Sequence, residues 1–277
     1  MLPTFLVVGA MKAGTDSLWQ YLRSHPQVFM SEKKELDFFT TELNWRRGSS
    51  WYGRQFAGAG EAVALGEAST SYTKHPLYRG VPGRIAGLLP DVRFVYLVRD
   101  PVERMRSQYL HEVLLGVERA PVEHALLENP RYLDFSMYAT QIERYLEHFP
   151  LERMLIVASE DLRDRRAATM RRVFEFIGVG ASWGPPDLDE EHHRTASKRV
   201  LRGPFDVIHR LPGYRALTRL VPAGVKEATL GIRTHGVDPD RATITDDLER
   251  RLRDRLTDEV ARLRTYMGNG FGGWGIA

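Results

Sequence analysis

The chain has 277 residues, 43% hydrophobic and 27% charged, the balance of an ordinary soluble globular protein, and its 39 Lys and Arg exceed 36 Asp and Glu by a net charge of +3. That mild excess suits an anionic ligand and falls short of a surface that coats nucleic acid. The absence of cysteine excludes disulfides, thiolate metal sites and a cysteine nucleophile, and no apolar run reaches the ~18 residues a membrane span needs.

Residues 5–8 form a continuous apolar run ending at Gly9, the pattern of a buried parallel strand. The stretch MLPTFLVVGAMK has no basic leader, and its apolar run stops at Lys12. It reads as a first strand rather than a signal peptide, and the expected compartment is the cytoplasm. Residues 15–23 follow as a helix with Leu18, Trp19 and Leu22 on one face, Thr15 as N-cap, Asp16 at the positive end and His25-Pro26 as the stop. A charged stretch, 31–37, precedes Phe38-Phe39, and residues 45–60, rich in glycine and aromatics, read as irregular surface structure.

Residues 62–68 and 93–98 read as strands, and Pro101 opens a helix that runs to about Gly116. Residues 138–149 read as a helix, 154–158 as a buried strand, and 167–177 as a helix closed by Gly178. From 182 to 236 the chain is basic and interrupted by proline and glycine. The last helix is marked by Leu248, Leu252, Leu256, Val260, Leu263 and Met267, which recur every three or four residues. Strands alternating with helices imply an α/β fold, a single domain over 1–277 with a central parallel sheet flanked by helices. The basic segment 182–240 is a candidate lid.

The chemistry begins at Gly9 and Gly14. They have the spacing of a nucleotide-triphosphate loop, but the lysine is Lys12, two residues before the second glycine, and Thr15 follows Gly14 directly. A strand feeding through a tight loop into a helix aims backbone N–H groups and the helix dipole at one point. Gly14 allows close approach, Lys12 adds a full charge, and the hydroxyls of Thr15 and Ser17 can donate. This set, spanning Lys12, Ala13, Gly14, Thr15, Asp16 and Ser17, describes a site for phosphate or sulfate. The missing Gly-Lys-Thr argues against an ATPase or GTPase, whose lysine reaches the β- and γ-phosphates, and no metal is required. A second anion site is read in VYLVRDPVERMRSQYL, with Arg99 just past a strand and Ser107 in the next helix. Taken alone, Arg99-Asp100 reads as a local ion pair capping that helix. Ligands of doubly wound sheets bind at the carboxyl ends of the strands, so both motifs belong on one edge.

GAMKAGTDSL followed by RDPVERMRSQY resembles the sulfotransferases that use 3′-phosphoadenosine 5′-phosphosulfate (PAPS), in particular the bacterial members and the heparan-sulfate-type branch. SEKKELDFF is similar to that family's K-E-x-H-F-F segment, GEASTSY to its E-x-[ST]-P-x-Y strand end, SEDLRDRRAATMRRVFEFIGV to its E-D-L helix, and LRTYMGNGFGGW to its closing segment. The resemblance implies a P-loop-like fold with PAPS as co-substrate. The 5′-phosphosulfate falls on residues 12–17, and the 3′-phosphate on Arg99 and Ser107. It implies in-line transfer of a sulfuryl group to a hydroxyl of a small-molecule or glycan acceptor, as in secondary metabolism, with Lys12 neutralising the leaving oxygen.

By itself EKKE reads as a solvated charged run; the resemblance makes Glu35 the catalytic base. Asp37 stands where the family has histidine and is an alternative base. His111, one turn beyond Ser107, is a reserve, because another branch uses a histidine. Ala68 stands where the heparan-sulfate-type enzymes carry a lysine, which speaks against a polysaccharide acceptor of that type. HHRTASKRVLRG resembles the basic segment that closes over the nucleotide, which would give Lys198 and Arg199 a phosphate; the alternative is a solvated stretch. Trp45, Trp51, Tyr52 and Phe56 either line the acceptor pocket or pack beneath a loop. The rival readings are a P-loop small-molecule kinase and a non-enzymatic nucleotide sensor.

Overall fold

The structure, a computed structural model, describes residues 1–182, 239–268 and 270–276. Its frame is a single five-stranded sheet: β1 (Phe5–Gly9), β2 (Val28–Met30), β3 (Ala64–Ala68), β4 (Arg93–Val98) and β5 (Met154–Ala158), in the order β2-β3-β1-β4-β5. Every neighbouring pair is parallel, with Phe5 opposite both Gly66 and Arg93 and Val7 opposite both Ala68 and Val95. β1 and β3 are buried along their whole length, which is why the strands read as unbroken apolar runs rather than as alternations. Gly66 serves close packing: a Cβ there would come within 2.2 Å of the Phe5 ring.

The chain leaves β1 for β2, returns through β3, then crosses β1 to reach β4 and β5. Because all strands are parallel, their carboxyl ends share one edge, and the reversal of direction about β1 opens a crevice there. The flanking helices are α1 (Thr15–Ser24), α2 (Gly48–Arg54), α3 (Val81–Leu88), α4 (Pro101–Leu114), α5 (Val122–Glu128), α6 (Pro130–Asp134), α7 (Tyr138–Leu146), α8 (Ser159–Asp164), α9 (Arg166–Ile177) and α10 (Asp246–Met267). One apolar core joins the sheet to α1, α7 and α9, and a second joins α4, α5 and α6 to α10. Leu248, Leu252, Leu256, Val260 and Leu263 are the buried stripe of α10. Its Glu259 is buried too, accepting from Thr140 N at 2.8 Å and Thr140 Oγ1 at 2.9 Å, which ties α10 to α7. No helix among the described residues is long and apolar enough to cross a membrane.

The expected elements recur with two local corrections. Residues 45–60 are not irregular: a 3-10 turn at Trp45–Arg47 runs into α2. The cause is aromatic packing, since Tyr52 stacks on Phe38 with ring centroids 4.2 Å apart and Phe56 meets Tyr52 edge-on at 5.4 Å. Thr15 is the first residue of α1 rather than its cap. The N-cap is Gly14, at φ 94°, and no side chain caps the helix. The expectations for Lys198, Arg199 and a lid lie outside the described residues.

Candidate active site

The β1–α1 loop is shaped by its glycines and held by its neighbours. Gly9 sits at φ 147°, and a Cβ there would come within 2.1 Å of the Thr73 hydroxyl. Gly14 is left-handed, and a Cβ there would lie 3.5 Å from Ser159 Oγ, narrowing the approach from β5. Ala10 N donates to Leu97 O at 2.6 Å, stitching the loop to β4. Ala13 is wholly buried and anchors the loop from below, while Lys12, Gly14, Thr15, Asp16 and Ser17 line the cleft above it. Because the N-cap is a glycine, no cap side chain stands over the first turn of α1, and the helix dipole adds positive potential at that point.

The end of β4 touches this loop directly. Arg99 Nη1 donates to Lys12 O at 3.2 Å, and its Nη2 pairs with Glu103 Oε2 at 3.3 Å. Tyr138 OH donates to Arg99 O at 2.8 Å. The cap of α4 is Asp100 alone, whose Oδ1 accepts from Val102 N at 2.9 Å and Glu103 N at 3.1 Å. The residue pair thus divides, Asp100 into the helix end and Arg99 into the cleft. Ser107 and His111 line the same cleft from α4.

Beneath α4 lies Arg104, wholly buried, which donates to Ser136 Oγ at 2.6 Å, Gln108 Oε1 at 2.8 Å and Tyr132 O at 2.7 Å, and reaches Met11 O at 3.5 Å. Burial without a carboxylate in contact pulls its guanidinium below the usual arginine value, partly offset by Tyr138 and Tyr96.

The ends of β2 and β3 bring the carboxylates. Glu35 N donates to Ala68 O at 2.8 Å, so the loop after β2 is docked on the end of β3. Glu35 Oε2 accepts from Thr70 N at 2.8 Å and Thr70 Oγ1 at 3.1 Å, and Oε1 accepts from Lys34 Nζ at 2.7 Å. Lys34 Nζ also pairs with Asp16 Oδ1 at 2.9 Å, bridging the carboxylate loop to α1. Burial would lower the Lys34 pKa, but Glu35 and Asp16 outweigh it and hold it above the ordinary lysine value.

Asp37 is pushed up by burial and by the Glu35 charge, against a hydrogen bond from Ser71. Its Oδ1 is buried with no hydrogen-bond partner among the described residues. Lys74 faces the same carboxylates with its ammonium 5.6 Å from the Phe135 ring centroid, and burial pulls its pKa down.

These elements enclose one cleft of about 850 Å³ at the carboxyl edge of the sheet. It gathers Lys12, Gly14, Thr15, Asp16, Ser17, Glu35, Asp37, Arg99, Ser107 and His111. It also takes in Lys34, Lys74, Ser159, Glu160, Arg163 and Arg166, which sequence reasoning did not single out. The signal for the last four was present in the position of SEDLRDRR directly after a buried strand; Lys34 and Lys74 carry none. Trp45, Trp51, Tyr52 and Phe56 do not line the cleft; they pack with Phe38 and Phe39 beneath the carboxylate loop.

The chain resembles known proteins along most of its length. Heparan sulfate glucosamine 3-O-sulfotransferase 3A1 of Mus musculus is 26% identical over 280 residues, covering 98% of this chain and 64% of that protein. Bifunctional heparan sulfate N-deacetylase/N-sulfotransferase 3 of Homo sapiens is 32% identical over 200 residues, covering 64% of this chain and 22% of that protein. The chain therefore spans less than two thirds of the length of these relatives. The crystal structure of a sulfotransferase from Alicyclobacillus acidocaldarius shares the fold, with a TM-score of 0.72, 24% identity and 99% of each chain covered. The sequence profile of the sulfotransferase domain matches residues 2–203, a span that takes in all five strands and every residue of the cleft. The chain belongs to the sulfotransferase domain family.

Proposed function

We propose that the chain moves a sulfuryl group from PAPS to a hydroxyl of a small-molecule or glycoconjugate acceptor. The observation that carries this reading is the contact between the two anion motifs: the Arg99 guanidinium donates to the Lys12 carbonyl, within one cleft that also holds Glu35 and Asp37. The donor set fits such a ligand. An uncapped helix start, a lysine and two hydroxyls form one cationic corner, and Arg99 with Ser107 supplies a second. The donor brings an already activated sulfuryl group, so the protein's task is positioning and charge stabilisation.

The N-terminus of α1 with Lys12, Thr15 and Ser17 holds the anionic end, and Lys12 offsets charge on the leaving oxygen. Arg99 and Ser107 fix the second phosphate. Glu35 accepts the acceptor's proton: its side chain is 37% exposed in the cleft, whereas Asp37 Oδ1 is shut off from water. Lys34 and Thr70 hold that carboxylate in place. His111 stands in reserve as a base.

The acceptor is sought among neutral small molecules and glycoconjugates first. Ala68, wholly buried at the end of β3, supplies no cation where the heparan-sulfate-type enzymes carry a lysine. The test is calorimetry with adenosine 3′,5′-bisphosphate, joined to a screen of hydroxyl acceptors with labelled donor in EDTA. Binding together with metal-free transfer is expected. No heat with the bisphosphate, or an absolute need for a divalent metal with ATP, overturns the reading in favour of a kinase. Binding with no base dependence of any output favours a sensor.

A further inference from the structure

We infer that Glu67, which no cleft ligand can touch, is a positioning residue that holds the Glu35–Asp37 loop through the hydroxyls of Ser69 and Tyr72. Glu67 lies on β3 and is wholly buried. Its Oε1 accepts from Tyr52 OH and Tyr72 OH, each at 2.7 Å, and its Oε2 accepts from Ser69 Oγ at 2.9 Å. Two of those hydroxyls carry the loop in turn. Ser69 Oγ accepts from Asp37 N at 3.0 Å, and Tyr72 OH accepts from Phe38 N at 2.9 Å.

A hydroxyl has one proton. With a backbone N–H already arriving at each oxygen, that proton must leave toward an acceptor, and an ionised carboxylate is the side chain that only accepts. Glu67 therefore sets the direction of both relays. The loop needs such fixing, because Glu35 and Asp37 both hold left-handed backbone, at φ 59° and 51°, which an L-residue keeps only when its surroundings impose it.

The groups facing Glu67 are Tyr52 on α2, Tyr72 on the turn after β3, Asp37 on the loop and Tyr145 on α7. Burial lifts its pKa to about 7, against the three hydroxyl hydrogen bonds. When Glu67 protonates, the charge that the Ser69 and Tyr72 hydroxyls donate to is lost, and both relays weaken together. Loop anchoring and turnover are thus expected to weaken as pH falls through about 7.

The inference rests on Glu35 as proton acceptor, and the experiment keeps the two apart. Glu67→Gln, Ser69→Ala and Tyr72→Phe are made in the full chain, with Glu35→Ala and Asp37→Ala as references. Hydrogen exchange is read at the Asp37 and Phe38 amides from pH 6 to pH 8, beside calorimetry with adenosine 3′,5′-bisphosphate. Release of labelled sulfate from the donor is followed in the same samples, to water or to an acceptor from the screen. Loss of one such hydrogen bond is expected to speed exchange at those amides and slow sulfate release, each by about tenfold, with bisphosphate affinity held. The wild-type pH dependence of amide protection, taken relative to the intrinsic exchange rate, should vanish near neutrality in Glu67→Gln. Unchanged amide protection in all three variants overturns the inference. So does lost protection with unchanged sulfate release when Glu35→Ala abolishes it. If neither Glu35→Ala nor Asp37→Ala alters release, the assignment of the base fails, while the exchange data still decide whether Glu67 holds the loop.

Discussion

Lys12, Glu35 and Asp37 are three of the four non-glycine residues with positive φ among those described, the fourth being Trp274. Each such position costs an L-residue about 1–2 kcal/mol, and all three line the cleft. The chain keeps side-chain chemistry at these points at the expense of an easier backbone. Lys12→Gly should therefore raise stability by roughly 1 kcal/mol while weakening binding of adenosine 3′,5′-bisphosphate by tenfold or more, read by thermal melting and calorimetry. Glu35→Ala should lower turnover by about 10²- to 10⁴-fold with donor affinity held; an equal loss of affinity would move Glu35 into donor binding.

That Lys12, Gly14, Arg99 and Ser107 meet in one cleft was legible because each stands at a fixed offset from the end of an apolar run. Lys34 was not, because EKKE looks solvated until Asp16, distant in sequence, closes over it at 2.9 Å. Lys74 and Glu67 were hidden for the same reason, their burial being a product of tertiary packing.

At the level of elements, β4 and β5 were readable to the residue, since buried parallel strands are unbroken apolar runs. β2 was not: Val28–Met30 is three residues long and exists by pairing with β3. α2 was missed because its glycines and aromatics oppose helix formation locally, and the stack of Tyr52 on Phe38 overrides them.

α4 was found, but the purpose of its buried face was not. Arg104 joins that helix to α6 through Tyr132 O and to the anion loop through Met11 O. Arg104→Met should cost roughly 2–4 kcal/mol, because Ser136 Oγ and Gln108 Oε1 lose their buried donor and Tyr132 O is left with Ser136 Oγ alone. Thermal unfolding measures this, and a loss below about 1 kcal/mol would show that water replaces the guanidinium.

For the whole molecule, stability and function pull the same carboxyl in opposite directions. Glu67 rises from 4.5 in the unfolded chain to about 7 in the fold, so the native state holds a proton that the unfolded state releases. Its contribution to stability is complete below the unfolded value and is lost as pH climbs through about 7, a change of ~3 kcal/mol over that interval. Asp37, also raised by burial, adds to the trend with the same sign. The relay to the loop, by contrast, needs Glu67 ionised. A neutral residue of the same shape should break this opposition: Glu67→Gln is expected to flatten the stability profile between about pH 5 and pH 8 while leaving an enzyme slow at every pH. Denaturant titrations across that range decide it. A wild-type stability that rises with pH, or a mutant that keeps the wild-type slope, would mean that the buried carboxyl is ionised throughout and that loop anchoring never competes with folding.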